Sequence, residues 1–228
     1  MRELDIALSI GMHLERLQSR GYDVLQVDEF ERVAELVSQT GRQSQTPMLS
    51  VTRQDFTRSE AFWLFLTFKG NVVGGMGSKL TDLADETFET YTRRTSQNQY
   101  SRCVDPIASM ASVLSQRLSG KLIYLGELEL RNESRGNPAV LSSFSRIMQG
   151  LCAVKWRDFD WMYAFIPDEH FHLARYYGLT WSVPNAITWV SPPPEGRLDS
   201  HWIMAISRAD YEHLVLAEKR GLVGHKRK

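Results

Sequence analysis

The segment with the clearest capacity for chemistry runs from Leu122 to Trp156. A strand, Leu122 to Leu130, leads into the turn Arg135-Gly136-Asn137-Pro138, and a long amphipathic helix follows from about Pro138 to Trp156. A helix N-terminus behind a glycine-bearing turn presents backbone N–H groups and the positive end of the helix dipole. Together these bind phosphate or pyrophosphate. Arg131 and Arg135 add positive charge at the same place and can pair with phosphate oxygens. The same residues also suit an ordinary strand-to-helix turn, since Pro fits the first helical position. Within the strand, alternation puts Glu127, Glu129 and Arg131 on one face and Leu128 and Leu130 on the other. That charged face reads either as a site or as a polar sheet surface with a Glu–Arg cross-pair.

Other candidates carry less. Asp168-Glu169-His170-Phe171-His172 holds metal-ligating types, but two histidines two residues apart diverge on a helix, and the acids suit a helix N-terminus; no metal site is expected. Five of the tryptophans, Trp156, Trp161, Trp181, Trp189 and Trp202, fall in the C-terminal half and read as core. The chain has no Gly-x-Ser-x-Gly elbow and no phosphate-binding P-loop.

Composition narrows the partners. The 228 residues are 43% hydrophobic and 11% aromatic, enough for a sizeable core. Lys plus Arg number 27 and Asp plus Glu 27, so nothing global draws the chain to nucleic acid or an anionic membrane. The short basic tail His225-Lys226-Arg227-Lys228 reads as a solvated end. Two cysteines, Cys103 and Cys152, make no disulfide framework and no Cys-x-x-Cys pair. Cys152 falls in an apolar helical pattern and reads as core. The N-terminus lacks the apolar stretch of a signal peptide, and no apolar run approaches the roughly 20 residues that span a bilayer. The expectation is a cytoplasmic protein with reduced thiols.

The remaining elements follow from periodicity. A helix is expected over 3–20 with Ile6, Ile10, Leu14 and Leu17 on one side, then a strand Tyr22 to Val27. Asp28 and Glu31 form a capping-box pattern for a helix ending near Gly41. Phe62 to Phe68 and Val72 to Gly77, joined by Lys69-Gly70-Asn71, read as a hairpin whose glycines indicate a bulge or a close approach. Residues 81–118 read as a mostly helical insertion, with Ile107, Met110, Val113, Leu114 and Leu118 on a helical stripe. Trp161 to Phe165, a short helix from Pro167 to Gly178, and strands Ala186 to Val190 and His201 to Ile206 complete the order. This is an α/β (α+β) sheet with helices on both faces, read as a single domain over 1–228.

That order, from about residue 22 to 207, resembles the GNAT (acyl-CoA N-acyltransferase) superfamily. Its members lead from a central strand through an Arg/Gln-x-x-Gly-x-Gly/Ala turn into a long helix. Arg135-Gly136-Asn137-Pro138-Ala139-Val140 is similar to that turn at Arg135, with Pro138 and Val140 where small residues are usual. Ala174-Arg175-Tyr176-Tyr177-Gly178-Leu179 resembles the aromatic-rich helix end before Gly-Phe. The helix at 3–20 and the insertion at 81–118 depart from the pattern. The resemblance implies a mostly antiparallel central sheet and an N-acyltransferase using acetyl-CoA or another acyl-CoA. It places the pyrophosphate on the amides of Arg135, Gly136, Asn137, Pro138 and Ala139, and the pantetheine beside Glu129, Leu130 and Arg131. Glu127 and Glu129 become base candidates, and Tyr176 and Tyr177 acid candidates, although either tyrosine can equally be a packed aromatic. The acceptor would be a small-molecule or protein amine, held between the insertion and the 191–200 loop. Donation from acyl carrier protein, as in autoinducer and N-acyl amino acid synthases, and a non-catalytic binding module are the alternatives. A homodimer through an exposed sheet edge fits the same architecture.

Overall fold

The computed structural model describes residues 2–42, 44–100 and 104–225; Cys103 and the last three residues of the basic tail lie outside it. The elements in order are α1 (Glu3–Gln18), β1 (Tyr22–Val27), α2 (Phe30–Gln39), β2 (Ala61–Phe68), β3 (Asn71–Asp82), α3 (Phe88–Gln99), β4 (Ile107–Met110), α4 (Ser112–Arg117), β5 (Lys121–Leu130), α5 (Pro138–Lys155), β6 (Trp161–Ile166), α6 (Ala174–Tyr177), β7 (Trp181–Val183), β8 (Ile187–Trp189), β9 (Trp202–Ser207) and α7 (Arg208–His225). Seven strands form one sheet in the order β1-β2-β3-β5-β6-β9-β7, and β4 with β8 makes a separate two-stranded ribbon. All neighbours in the sheet are antiparallel except β5 and β6.

The sheet is buried on both faces, so its central strands read as continuous apolar runs. In β2, Phe62, Leu64 and Leu66 face α1, α5 and α7, while Ala61, Trp63 and Phe65 face α2, α3 and α4. The stripe Ile6, Ile10, Leu14 and Leu17 of α1 packs into the first of these layers, as its spacing implies. Cys152 is fully buried there, and burial pushes its thiol up to about 12.

Several expectations change. Ile107–Met110 is not part of a helical stripe: Pro106 precedes it, and it pairs with Ile187–Trp189 as a ribbon. The strand at Ile187–Trp189 therefore leaves the main sheet, and β9 pairs instead with Trp181–Val183. The capping box at Asp28 does not form. Glu29 is the N-cap of α2 and makes no side-chain cap bond. The returning hairpin strand runs on to Asp82, five residues past Gly77. The C-terminal helix α7 lacks a clean apolar stripe, because part of the face it buries is charged.

That charged face ties the helices together. Glu218 of α7 accepts from Ser9 at 2.7 Å, lies 3.3 Å from His13 Nε2, and receives Arg146 Nε at 3.0 Å. His13 reaches Ser143 of α5 at 3.3 Å, and Lys219 bonds buried Asp5 at 2.6 Å. Burial opposes the charge on Glu218, but the bonds from His13 and Ser9 and the Arg146 cation outweigh it and bring its carboxyl down to about 2. A carboxyl held below its ordinary value of 4.5 stabilises the fold above that pH and loses the contribution as pH falls toward 2. Glu218→Gln should therefore cost about 2 kcal/mol at pH 7, after discounting for its partial exposure, and leaves Arg146 short of a partner. Urea unfolding at pH 7 and pH 3 checks this: the gap between variant and wild type should shrink at the lower pH.

Candidate active site

The parallel pair β5–β6 sets the site. The two strands pair only over Leu122↔Trp161, Ile123↔Met162 and Tyr124↔Tyr163. Beyond Tyr124 they diverge. Leu125 to Glu129 on one side and Ala164 to Ile166 on the other line a cavity of about 290 Å³. Main-chain groups along two facing strand edges thus open into the cavity instead of onto each other. Such groups need partners, and an extended arm laid between the strands supplies them in the manner of an added strand.

A bulge in β5 opens this seam. Gly75 is opposite Glu129 and Gly77 opposite Gly126, so two steps on β3 face three on β5. The extra residue shifts the alternation, and Glu127 takes a left-handed φ of 60°. Tyr124 and Glu127 consequently point to the same side of the sheet although three residues apart, while Leu125, Leu128 and Leu130 pack toward α5. Gly126 is required by closeness: a Cβ there would lie 2.6 Å from the Tyr124 ring. Gly77 makes similar room, since its Cβ would lie 2.6 Å from the Trp63 indole nitrogen. That nitrogen reaches toward Glu127 Oε2 at 3.5 Å.

Glu127 is 9% exposed. Its Oε1 accepts from the Thr46 amide at 2.5 Å and the Thr46 hydroxyl at 3.2 Å, and its Oε2 from Gln45 at 3.2 Å. Burial raises its pKa, and the Arg42 charge and the bonds from Gln45, Thr46 and Trp63 only partly offset this. A buried carboxylate with a raised pKa, opening on a cavity, has the character of a proton acceptor. Glu129 lies on the same side but is engaged otherwise, 2.5 Å from Arg135 Nη2 and 3.9 Å from Arg42. The expected common face thus holds Glu127 and Glu129 but not Arg131, which sits beyond the end of β5 and pairs with Glu133 at 3.1 Å.

The turn into α5 is largely self-satisfied. Arg135 donates through Nε to the Leu130 carbonyl at 2.7 Å, besides its bond to Glu129, and its own amide points to the Arg131 carbonyl at 3.1 Å. The Asn137 side chain caps the helix, accepting from the amides of Ala139 at 3.2 Å and Val140 at 3.3 Å. Pro138 has no N–H. Of the expected cradle, only the amides of Gly136 and Asn137 donate to no protein acceptor among the described residues.

Of the two tyrosines, Tyr177 lines the cavity and Tyr176 does not; Tyr176 stacks under Arg175 at 4.7 Å. Burial pushes the Tyr177 phenol up to about 12. Lining residues that sequence reasoning missed include Arg42, Ser145, Arg197 and His201. Ser145 comes from α5, and its buried hydroxyl has no partner. Arg197 is 6% exposed and lies under the Phe165 ring at 4.6 Å. Burial, with the Arg197 charge beside it, holds the His201 imidazole below its ordinary value. Only the place of the 191–200 loop in the sequence hinted at the last two. Among the described residues no cluster of three or more His, Cys, Asp or Glu could hold a metal, and no helix is long and apolar enough to cross a membrane.

Gly126→Ala should push the Tyr124 ring out of place and destabilise the protein by about 1–3 kcal/mol. Urea unfolding measures it, and an unchanged midpoint would show that the ring has other room.

No protein-family model and no curated protein matches the chain. Solved structures similar to it include FeeM, an N-acyl amino acid synthase from uncultured soil microbes, at 12% identity over 84% of this chain and 93% of that one, with a TM-score of 0.47. A putative arylalkylamine N-acetyltransferase 7 from the yellow fever mosquito matches at 12% identity over 82% and 87%, TM-score 0.48. An agmatine N-acetyltransferase matches at 14% over 82% and 99%, TM-score 0.48. With its strand order, its one parallel pair opening into a cavity and its turn into the long helix α5, the chain has a mixed α/β fold around a mostly antiparallel central sheet.

Proposed function

We propose that the protein is an N-acyltransferase that moves an acyl group from a thioester of phosphopantetheine to an amine, by direct attack with both substrates bound. The observation that carries this reading is the open seam between β5 and β6, which ends beside a buried carboxylate. The pantetheine arm lies between Leu125–Leu130 and Ala164–Ile166 and pairs with their main chains. Its amides also meet the partnerless hydroxyl of Ser145. The thioester carbonyl then sits where β5 bulges, and a main-chain N–H there stabilises the oxyanion as the amine adds.

Glu127 is the general base. Its four donors occupy most of its acceptor capacity, and the long contact to Trp63 is the one that yields to an incoming ammonium or a bridging water. The ammonium gives its first proton to Glu127, the resulting amine nitrogen bonds the thioester carbon and releases its second proton to solvent, the carbon–sulfur bond breaks, and the sulfur leaves as thiolate. Tyr177 is raised too far to be a strong acid for a thiol of ordinary pKa near 8.5, so it assists by donating a hydrogen bond to the leaving sulfur. The proton taken by Glu127 returns through solvent to the thiolate. Tyr176 has no part in this arrangement, and Glu129 holds Arg135 and Arg42 in place.

The donor is acyl-CoA in the first reading, with its pyrophosphate on the amides of Gly136 and Asn137. A carrier-protein donor is the second reading. It is favoured by the engagement of Arg135, Ala139 and Val140 within the turn, because a carrier-bound arm needs only one phosphate contact there.

Calorimetry with acetyl-CoA, dodecanoyl-CoA and dodecanoyl-acyl carrier protein tests the donor; no binding by any of the three would sink the reading. Glu127→Gln should lower kcat by about 10²–10³ with donor binding unchanged. In the wild type, kcat/KM should rise with pH through an apparent pKa above the ordinary carboxylate value, since the base works deprotonated. That limb should vanish in the variant.

A further inference from the structure

Arg197 is a buried cation without an anion. Its Nε donates to the Tyr100 hydroxyl at 2.8 Å, and no carboxylate among the described residues pairs with it. Its guanidinium lies against Phe165 at 4.6 Å and Trp189 at 5.9 Å, with Tyr124 and Tyr163 close enough to feel its charge. The two acids nearest in sequence are engaged elsewhere: Glu195 is exposed and lines a separate outer hollow with Arg53 and Asn98, and Asp199 accepts from the Trp189 amide at 2.7 Å. Burying a charge is costly unless it is paired. Aromatic faces return only part of that cost. The terminal nitrogens still lack an acceptor, and the cavity they border is where one can enter.

The position of this cation in the cavity decides what the acceptor is. Ser145, Gln149 and Tyr177 line the cavity from the α5 side, where the donor arm enters. Arg197 lines it from the opposite layer, among Tyr100, Trp189 and Phe165, and Tyr100 belongs to the insertion before β5. Glu127 points to that same layer. Glu127 and Arg197 both act on Tyr124, yet they are not within ion-pair distance of each other. A carboxylate and a guanidinium held apart around one cavity match a zwitterion, with an ammonium at the first and a carboxylate at the second. A guanidinium also suits a carboxylate geometrically, through two parallel N–H···O bonds.

We infer that the acceptor is an amino acid or a closely related amino-carboxylate, whose carboxylate is bound by Arg197 while its amine is presented to Glu127. This rests on the acyl-transfer reading for the direction of the amine, but the carboxylate site can be tested separately. Arg197 on this assignment is a specificity-determining residue, and Tyr100 positions it.

The test compares the twenty common amino acids, each against its carboxamide, by release of free thiol from dodecanoyl-CoA and from dodecanoyl-acyl carrier protein. Thermal shift of the donor-free protein with the same compounds runs alongside. The best acid should exceed its amide at least 100-fold in kcat/KM, and acids but not amides should raise the melting temperature. Arg197→Lys keeps the charge but loses the paired geometry and should raise KM for the acid about tenfold. In Arg197→Met the acid-over-amide ratio should fall to within threefold; should that variant not fold, the wild-type ratio and Arg197→Lys decide. Turnover of amides and acids at equal rates would overturn the Arg197 assignment and leave acyl transfer standing. Acid-specific thermal shifts, lost in Arg197→Lys or Arg197→Met, without any turnover would keep the carboxylate site and sink acyl transfer. Absence of both turnover and an acid-specific shift would overturn the inference.

Discussion

The constraint on which the molecule depends is the interruption of pairing between β5 and β6 after Tyr124 and Tyr163. In the middle of a sheet, main-chain N–H and C=O groups are ordinarily consumed by the neighbouring strand, and leaving several unused costs free energy at each. This sheet accepts that cost at one seam and holds the diverging strands from outside. β5 is secured by β3 along most of its length, and β6 by β9 over Trp161–Ile166. At the fork, the rings of Tyr124, Tyr163 and Phe165 lie 5.3–6.2 Å apart and close the floor. The bulge opposite Met76 then steers β5 away. An extra residue in one strand thus creates both the opening and the turn of Glu127 toward it.

The two faces of the sheet divide the work. On the α5 side the charges are settled internally: Arg146, His13, Ser9 and Glu218 satisfy one another across three helices. Two polar groups with unmet capacity line the cavity: the Ser145 hydroxyl, without a partner, on this side, and Arg197, without a carboxylate among the described residues, on the other. A fold that satisfies an arginine with a carboxylate in its helical layer, and leaves another arginine to aromatic rings beside a cavity, places the second where an external anion could reach it.

Much of this was legible in the sequence because apolar periodicity reports burial directly. Phe62–Leu66 and Leu122–Leu125 are continuous apolar runs because both faces of their strands are covered, and Ile6, Ile10, Leu14 and Leu17 form a stripe because α1 has one buried side. The errors fall where burial and periodicity separate. Ile107–Met110 has helical spacing with later residues, but Pro106 and the partner strand at Ile187–Trp189 decide its form, and that partner is 80 residues away. The helix α7 holds half-buried Glu218 and Lys219 in ion pairs, so its inward face does not read as apolar. The placement of Glu127 and Glu129 on one side agrees with simple alternation, although Glu127 itself lies in the bulge between Gly126 and Glu129. Arg197 was not, since its environment is assembled from Tyr100, Phe165 and Trp189, which only the fold brings together.

The turn into α5 shows how a small change in side-chain chemistry shifts what a helix N-terminus can do. A turn with small residues and no capping side chain leaves its first amides for a ligand, and then the dipole and the N–H groups act together. Here Asn137 caps Ala139 and Val140, and Pro138 has no N–H to offer. Arg135 is drawn back onto the Leu130 carbonyl and Glu129, which makes the turn rigid and ties it to the end of β5. Such a turn stabilises the helix by itself, at about 1 kcal/mol for a side-chain cap, and gives up part of its affinity for a pyrophosphate. The seam is unaffected by that exchange, because its main-chain groups belong to β5 and β6. On the acyl-transfer proposal, binding of the arm and binding of the distal phosphates are therefore separable, and the seam is the part that would hold the arm.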